Sequence, residues 1–273
     1  LFSLHKIIVS LFLIFLSFRL HGGNPYLKSP GAGEAGMGSV CVMKTGFWPS
    51  FSNQALLANN TSFLAGFNYE NRFNLRELGT RTAGLIIPAG RTSLGLTYSH
   101  FGYSYFRRSM AGVACGIPLG DNISGGIQID YFLEKTSGDY DNYQSVSFEA
   151  GIFFKTSEKI SIGLHVFNPV PNSLRKTNMP SSIRAGAGIE LSKVLFAGAE
   201  AEMSTGEKLI LRTGFEYEVL KKLLLRGGFS SENTSFTFGL GYLLKSIKID
   251  LSFASHERLG ITSSASVIFK IKS

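Results

Sequence analysis

IRAGAGIEL, residues 183–191, alternates apolar positions with polar or glycine positions without a break. Ile183, Ala185, Ala187, Ile189 and Leu191 share one phase, and Arg184, Gly186, Gly188 and Glu190 share the other. Successive side chains of a β-strand point to opposite faces, so this segment has one greasy face and one polar or glycine face. The same period of two recurs at residues 209–217, 236–242, 247–253 and 265–271. Segment after segment of this kind, separated by tight turns, describes a sheet closed on itself with its apolar face outward. Strands cross an outer membrane in that way.

Working outward, period-two runs fall at residues 62–73, 79–87, 93–100, 107–117, 123–134, 145–155 and 160–167. They continue at 182–191, 194–202, 208–218, 223–230, 235–244, 247–254 and 260–272. That makes about fourteen strands, an even number as a single-chain bacterial barrel requires. Every second connection is short: 88–91, 120–122, 157–158, 192–193, 221–222 and 245–246. The longer ones, 101–106, 135–143 and the proline-containing 168–180, fall between them. Short periplasmic turns and longer extracellular loops are the asymmetry of this architecture, and the parity places both termini in the periplasm. The expected fold is an all-β transmembrane antiparallel barrel.

Lys6 precedes an apolar run at 7–18, interrupted by Ser10 and Ser17 and followed by Arg19, His21 and Gly22. A basic start, a short apolar core and small residues after it read as a secretory signal over residues 1–23. The run is shorter than the ~20 apolar residues of a membrane-spanning helix. Residues 24–60 alternate poorly and carry Gly, Pro, Ser and Asn, so they are expected to enter and plug the lumen of a barrel formed by 61–273. Charged residues make up only 17% of the chain and mean hydropathy is +0.13, because inward polar residues offset outward apolar ones. The net charge of +8 is not gathered into a basic patch interleaved with aromatics, which argues against nucleic acid. Outer-membrane lipid and lipopolysaccharide are the natural counter-charge. Cys41 and Cys115 are the only cysteines; Cys115 shares the phase of Val113 and Ile117 and should face lipid, out of reach of Cys41 in the lumen.

Few residues invite chemistry. Gly31–Gly36 matches G-x-G-x-x-G, but no strand leads into it, and a glycine turn explains the match. The inward phase of the C-terminal strands carries Glu200, Glu202, Arg212, Glu216, Arg226 and Asp250. A turn centred on Thr205-Gly206 sets Glu200 opposite Arg212, and one at Lys221 sets Glu216 opposite Arg226. Such pairs either neutralise a filled lumen or form a selectivity constriction. Their mixed signs favour the first. No nucleophile shares the face of Glu200 and Glu202, and inward His165 stands alone, so no catalytic residue, metal site or cofactor is expected. Phe101, Tyr103, Tyr105 and Phe106 cluster in a long connection, as an interfacial girdle or a contact surface for a partner. On β-phase alone, an arginine at 238 or 240 should meet lipid, and one at 237 or 239 should enter the lumen.

Gly33-Glu34-Ala35-Gly36-Met37-Gly38 resembles the glycine-rich segment that opens mature PorV/PorQ-type proteins of Bacteroidota, and residues 47–57 are similar to their following F-W-N-P-A-x-L stretch. Those proteins belong with the FadL-like fourteen-stranded barrels that hold an N-terminal segment inside. The resemblance implies a non-enzymatic partner subunit of another outer-membrane or secretion-complex protein, as in type IX secretion. The FadL side of the group implies the alternative, passage of hydrophobic small molecules. The parity of the connections makes the first prediction: a cysteine replacing Lys176 should react with an impermeant thiol reagent on intact cells. One replacing Ala89 should react only after the outer membrane is opened; the reverse pattern would mean that the strand count is off by one.

Overall fold

The computed structural model describes residues 24–27, 31–137, 142–170, 172–174 and 177–271; the expected export signal and Lys176 lie outside the described residues. The strands are β1 (Phe63–Asn71), β2 (Gly79–Ala89), β3 (Thr92–Gly102), β4 (Phe106–Pro118), β5 (Ile123–Thr136), β6 (Tyr143–Lys155), β7 (Ile160–Phe167), β8 (Asn172–Leu174), β9 (Thr177–Met179), β10 (Ser182–Ser192), β11 (Leu195–Ser204), β12 (Ile210–Leu220), β13 (Leu223–Ser230), β14 (Ser235–Leu243), β15 (Ile247–His256) and β16 (Gly260–Ile271). Fourteen of them close into an antiparallel barrel in which each pairs with its sequence neighbours and β16 returns to β1. The exception is β7, which pairs directly with β10, because β8 and β9 form a separate hairpin inside the longest connection. Closure satisfies every edge, which a sheet in hydrocarbon requires.

The alternation read from the sequence sets the faces. In β4, Met110, Gly112, Ala114 and Gly116 are buried while Ala111, Val113 and Ile117 are exposed. Phe67, Ile127, Phe148, Phe215 and Phe238, from strands around the barrel, likewise expose their side chains outward. Cys115 lies on the outward face with Val113, whereas Cys41 is buried in the interior, and both thiols are free.

The lumen holds the chain's own N-terminal segment. Residues 31–60 run as a helical turn (Ala32–Ala35) and two 3-10 turns (Pro49–Phe51 and Gln54–Asn59) joined by irregular backbone. They reach toward the end of the short turns, where the Asn60 carbonyl accepts from Ser93 (3.0 Å). Residues 24–27 lie at the opposite end, where Asn24 donates to Ser182 (2.8 Å). The wall makes room by omitting side chains. A Cβ at Gly214 would collide with the Met37 carbonyl, one at Gly163 with the Val42 carbonyl, and one at Gly126 with the backbone of Gln54. These inward glycines adjoin others across the strands: Gly163 faces Gly186, Gly126 faces Gly151, and Gly214 lies between Gly198 and Gly228. Toward the short-turn end Phe47, Trp48, Phe51 and Leu57 form an apolar cluster with Ile86 and Ala114, and Phe47 and Phe51 lie over Gly66 and Gly84.

The packed plug changes one facing expectation. Phe238 is outward, but inward Gly239 rests on Gly36, and Thr237 is bonded both to the Gly38 N–H (2.8 Å) and to the Gly36 carbonyl (3.0 Å). An arginine at 237 or 239 therefore meets plug backbone instead of open lumen. Two outcomes follow for purified protein. Phe238→Arg should destabilise the barrel by roughly 2–4 kcal/mol in denaturant titration. Gly214→Ala should leave the barrel folded, as judged by heat-modifiable mobility, yet render residues 24–60 sensitive to protease. Equal protease resistance of wild type and variant would show that the close approach is not required.

Candidate functional site in the lumen

The interior has two chemically distinct sides. Along β10–β15 it is ionic. Glu200 lies opposite Arg212 and Glu216 opposite Arg226, the register that the turns imply. The shortest bonds are partly diagonal: Arg212 Nη1 donates to Glu202 Oε2 (2.8 Å) and stands 3.7 Å from Glu200. Arg184 takes Glu200, and Arg226 bridges Glu216 (2.6 Å) and Asp250 (2.8 Å). Strand twist and long guanidinium arms let each charge select the better of two carboxylates.

These charges also hold the plug, a role that charge pairing across strands did not reveal. The Glu200 carboxylate accepts the backbone N–H groups of Cys41 (3.0 Å) and Val42 (3.1 Å), and the Lys44 ammonium lies 2.7 Å from Glu216. Irregular backbone in a lumen must find partners for its N–H groups, and a carboxylate on the wall supplies them. Asn53 does the same work from the plug, donating to the Val42 and Ile152 carbonyls and accepting from the Ala55 N–H. Burial pushes the Cys41 thiol up to about 11, so it stays protonated beside Arg184 and is a poor nucleophile.

His165 does not stand alone. Its Nε2 lies 3.0 Å from Glu149 Oε2, the same oxygen that accepts Gln54 Nε2 at 2.5 Å. Glu149 is diagonal to His165 across β6 and β7, and its inward phase with Gln128 and Asp130 was the available signal. Among the described residues no three His, Cys, Asp or Glu side chains converge to hold a metal.

On the β3–β7 side, at the end of the longer connections, the lumen carries an apolar cluster beside the Arg108–Glu134 ion pair. Met110, Phe132, Phe167 and Met179 form a buried cluster against Tyr26, Leu27 and Tyr143. Arg108 bonds Glu134 and the Pro25 carbonyl (2.8 Å) and lies 4.2 Å from the centroid of the Tyr26 ring, which fixes residues 24–27 in the mouth. The aromatic cluster of 101–106 divides here. Phe101 and Phe106 belong to β3 and β4, sit on the inward phase and pack together at 6.2 Å. Only Tyr103 and Tyr105 project, as an exposed pair at 6.0 Å. Longer strands than the sequence pattern suggested shorten this connection to three residues.

Two hollows open at this end. One, of about 100 Å³, is lined by Tyr26, Leu27, Phe101, Met110 and Phe132 together with Arg72, Thr80, Ser99 and Arg108. The other, of about 230 Å³, lies between plug residues Gly38, Ser39 and Cys41 and the wall residues Arg184, Arg212, Ser230, Ser252 and Ser264.

Solved structures share the fold. The CymD monoaromatic hydrocarbon channel is similar over 91% of this chain and 99% of its own, with a TM-score of 0.72 at 12% identity. The fold is that of the FadL-like outer-membrane barrels. A toluene transporter of Ralstonia pickettii, TbuX, aligns with a TM-score of 0.66 at 12% identity over 91% of this chain and 100% of its own. A FadL homologue of Pseudomonas aeruginosa gives 0.68 at 11% identity, over 89% and 99%. No protein-family model and no curated sequence matches the chain.

Glu34 in the plug supplies a test of how the plug is held. It is buried, one carboxylate oxygen has no hydrogen-bond partner, and burial raises its pKa above the ordinary 4.5 against the pull of Lys248 and Lys44. A carboxyl whose folded pKa is raised holds its proton longer when docked, so docking weakens as pH rises from about 4.5 to the folded value and is level beyond it. Glu34→Gln should therefore increase the protease resistance of the plug at pH 7 and flatten its dependence between pH 4 and 7. A variant weaker than wild type at pH 7 would show that the carboxylate is instead favourably paired.

Proposed function

We propose that this protein is an outer-membrane channel that admits small hydrophobic compounds from outside the cell, with the longer connections facing outward. The observation that carries this reading is the hollow in the mouth, where Tyr26, Leu27, Phe101, Met110 and Phe132 supply apolar surface beside Arg72, Thr80, Ser99 and Arg108. The inward residues of the C-terminal half, being mostly Gly, Ser, Thr and paired charges, suggest a lumen that repels hydrocarbon. The mouth reverses that on the other side, because β3–β5 and the start of the plug contribute sulfur and aromatic surface there. An apolar solute gains about 0.8 kcal/mol for each CH₂ that leaves water for such a wall. The hydrocarbon and toluene channels with the same fold add support as analogy.

Below Met110 and Phe132 the inward residues become Asp130, Gln128 and Glu149, bonded to Gln54 of the plug. A hydrophobic solute stops at that polar floor unless the plug moves. The mouth therefore acts as a capture site and the plug as the barrier behind it. A second reading, an accessory subunit docked to another outer-membrane or secretion-complex protein, is favoured by the exposed Tyr103/Tyr105 pair and by the resemblance of residues 33–57 to PorV/PorQ-type proteins. Uptake of a labelled monoaromatic hydrocarbon by proteoliposomes separates the two. Met110→Lys should lower uptake by about tenfold, the loss of roughly one buried apolar side chain's worth of binding. Wild-type uptake no faster than protein-free vesicles, with co-purification of a stoichiometric export component, would give the second reading precedence.

A further inference from the structure

At the end of the longer connections the outer wall is apolar over most of its circumference: Leu164, Ile183, Met203, Leu211, Phe236 and Ile261 all face outward there. Strands β2–β5 differ. Their outward residues at that end are Arg81, His100, Arg107 and Lys135. Arg81 lies directly opposite His100, and Arg107 directly opposite Lys135. His100 is tied to Ser109 (3.0 Å), which shares the outward face of β4 with Arg107. Arg107 and Lys135 are like charges placed opposite each other across strands and repel, so the band is costly on its own. Among the described residues, no carboxylate lies within ion-pair distance of Arg81, Arg107 or Lys135. The Arg81 guanidinium rests 5.9 Å from the centroid of the Tyr69 ring.

A groove of about 870 Å³ lies over β1–β3, β15 and β16, and meets the band at Arg81 and His100. Its floor is made by the small outward residues Ala83 and Ala265; Ala83 lies between Phe67 and Tyr98, and Ala265 pairs with Tyr69. Bulky neighbours beside alanines leave an apolar trough of acyl-chain shape in a surface that faces hydrocarbon. An anionic head at the band and a chain in the trough describe an amphiphile. One phosphate cannot serve the whole band, because β2 and β5 stand three strand spacings apart, about 14 Å. Two phosphates on one rigid headgroup can.

We propose that the β2–β5 band and the trough beneath it bind the bisphosphorylated, multiply acylated disaccharide lipid of the outer leaflet, lipid A. Arg107 and Lys135 take one phosphate, Arg81 and His100 the other, and an acyl chain lies over Ala83. The assignment rests on the outward orientation of the longer connections, not on the solute that the lumen admits.

Native mass spectrometry of delipidated, refolded protein with added bisphosphoryl lipid A, monophosphoryl lipid A or phosphatidylglycerol tests it. Wild type should retain the bisphosphoryl form in preference to both others. The combined Arg81→Gln, Arg107→Gln and Lys135→Gln variant should retain it on the order of a hundredfold less well. Lys221→Gln, Lys222→Gln and Lys245→Gln, which remove the same charge at the short-turn end, should change nothing. Ala83→Phe, which fills the trough but keeps the charges, should also weaken retention. Heat-modifiable mobility checks that each variant is folded. Equal retention of monophosphoryl lipid A or of phosphatidylglycerol overturns the proposal, as does a triple variant that binds like wild type. Hydrocarbon uptake is measured separately on the same variants: a wild type that binds lipid A but takes up no hydrocarbon sinks the channel reading and leaves this one standing.

Discussion

Backbone lies against backbone where the plug meets the wall, and the rest of the structure depends on that contact. A fourteen-stranded barrel is too wide for its inward side chains alone to fill. Here the chain fills it with residues 31–60, which come close enough that Cβ atoms at Gly126, Gly163 or Gly214 would occupy the same space as plug backbone. Glycine weakens a strand because it buries no side chain and loses more freedom on ordering. Its recurrence on the inward phase makes sense only with something packed there. The plug in turn has little regular structure of its own, so its N–H and C=O groups are satisfied by the wall: Glu200 receives two N–H groups, and Thr237 bonds on both sides of Met37.

The charges of the interior follow from the same constraint. Arg184, Glu200, Glu202 and Arg212 are almost fully buried, and so are Arg226 and Asp250. Buried ions contribute little net stability against an apolar replacement, but loss of a single partner strands its mate at a cost of about 3–5 kcal/mol. A network of this kind is better suited to fixing the position of a segment than to adding stability. It holds the plug on the β10–β15 side, while the mouth on the β3–β7 side is lined with aromatic and sulfur-bearing side chains. The ion pairs that hold the plug and the aromatic cluster at the mouth thus lie on different walls of one lumen. The plug's first residues join the two, since Leu27 lines the hollow on each side.

The outer wall repeats the division in another solvent. Most of it presents hydrocarbon to hydrocarbon, whereas the basic band on β2–β5 presents charge where headgroups lie. Part of the net charge of +8 belongs to Arg81, Arg107 and Lys135 on the outer face of β2, β4 and β5, and part to lysines at the short turns such as Lys221, Lys222 and Lys245.

The sequence by itself determined the strands, their number to the pair, their facing and the ends at which connections are short. All of these follow from a period of two and from local turn chemistry, which neighbours in sequence control. It also determined the register of Glu200 with Arg212 and of Glu216 with Arg226, because a tight turn fixes what lies opposite. Only the tertiary structure decided what those residues hold. The partners of Glu200 include Cys41 and Val42, and those of Glu149 include Gln54, all far away in the chain and brought together by closure of the barrel. The division of the 101–106 aromatics, the partner of His165 and the apolar mouth escaped the sequence for the same reason. Alternation says that a side chain points inward, but what it meets there depends on a segment with no period of its own.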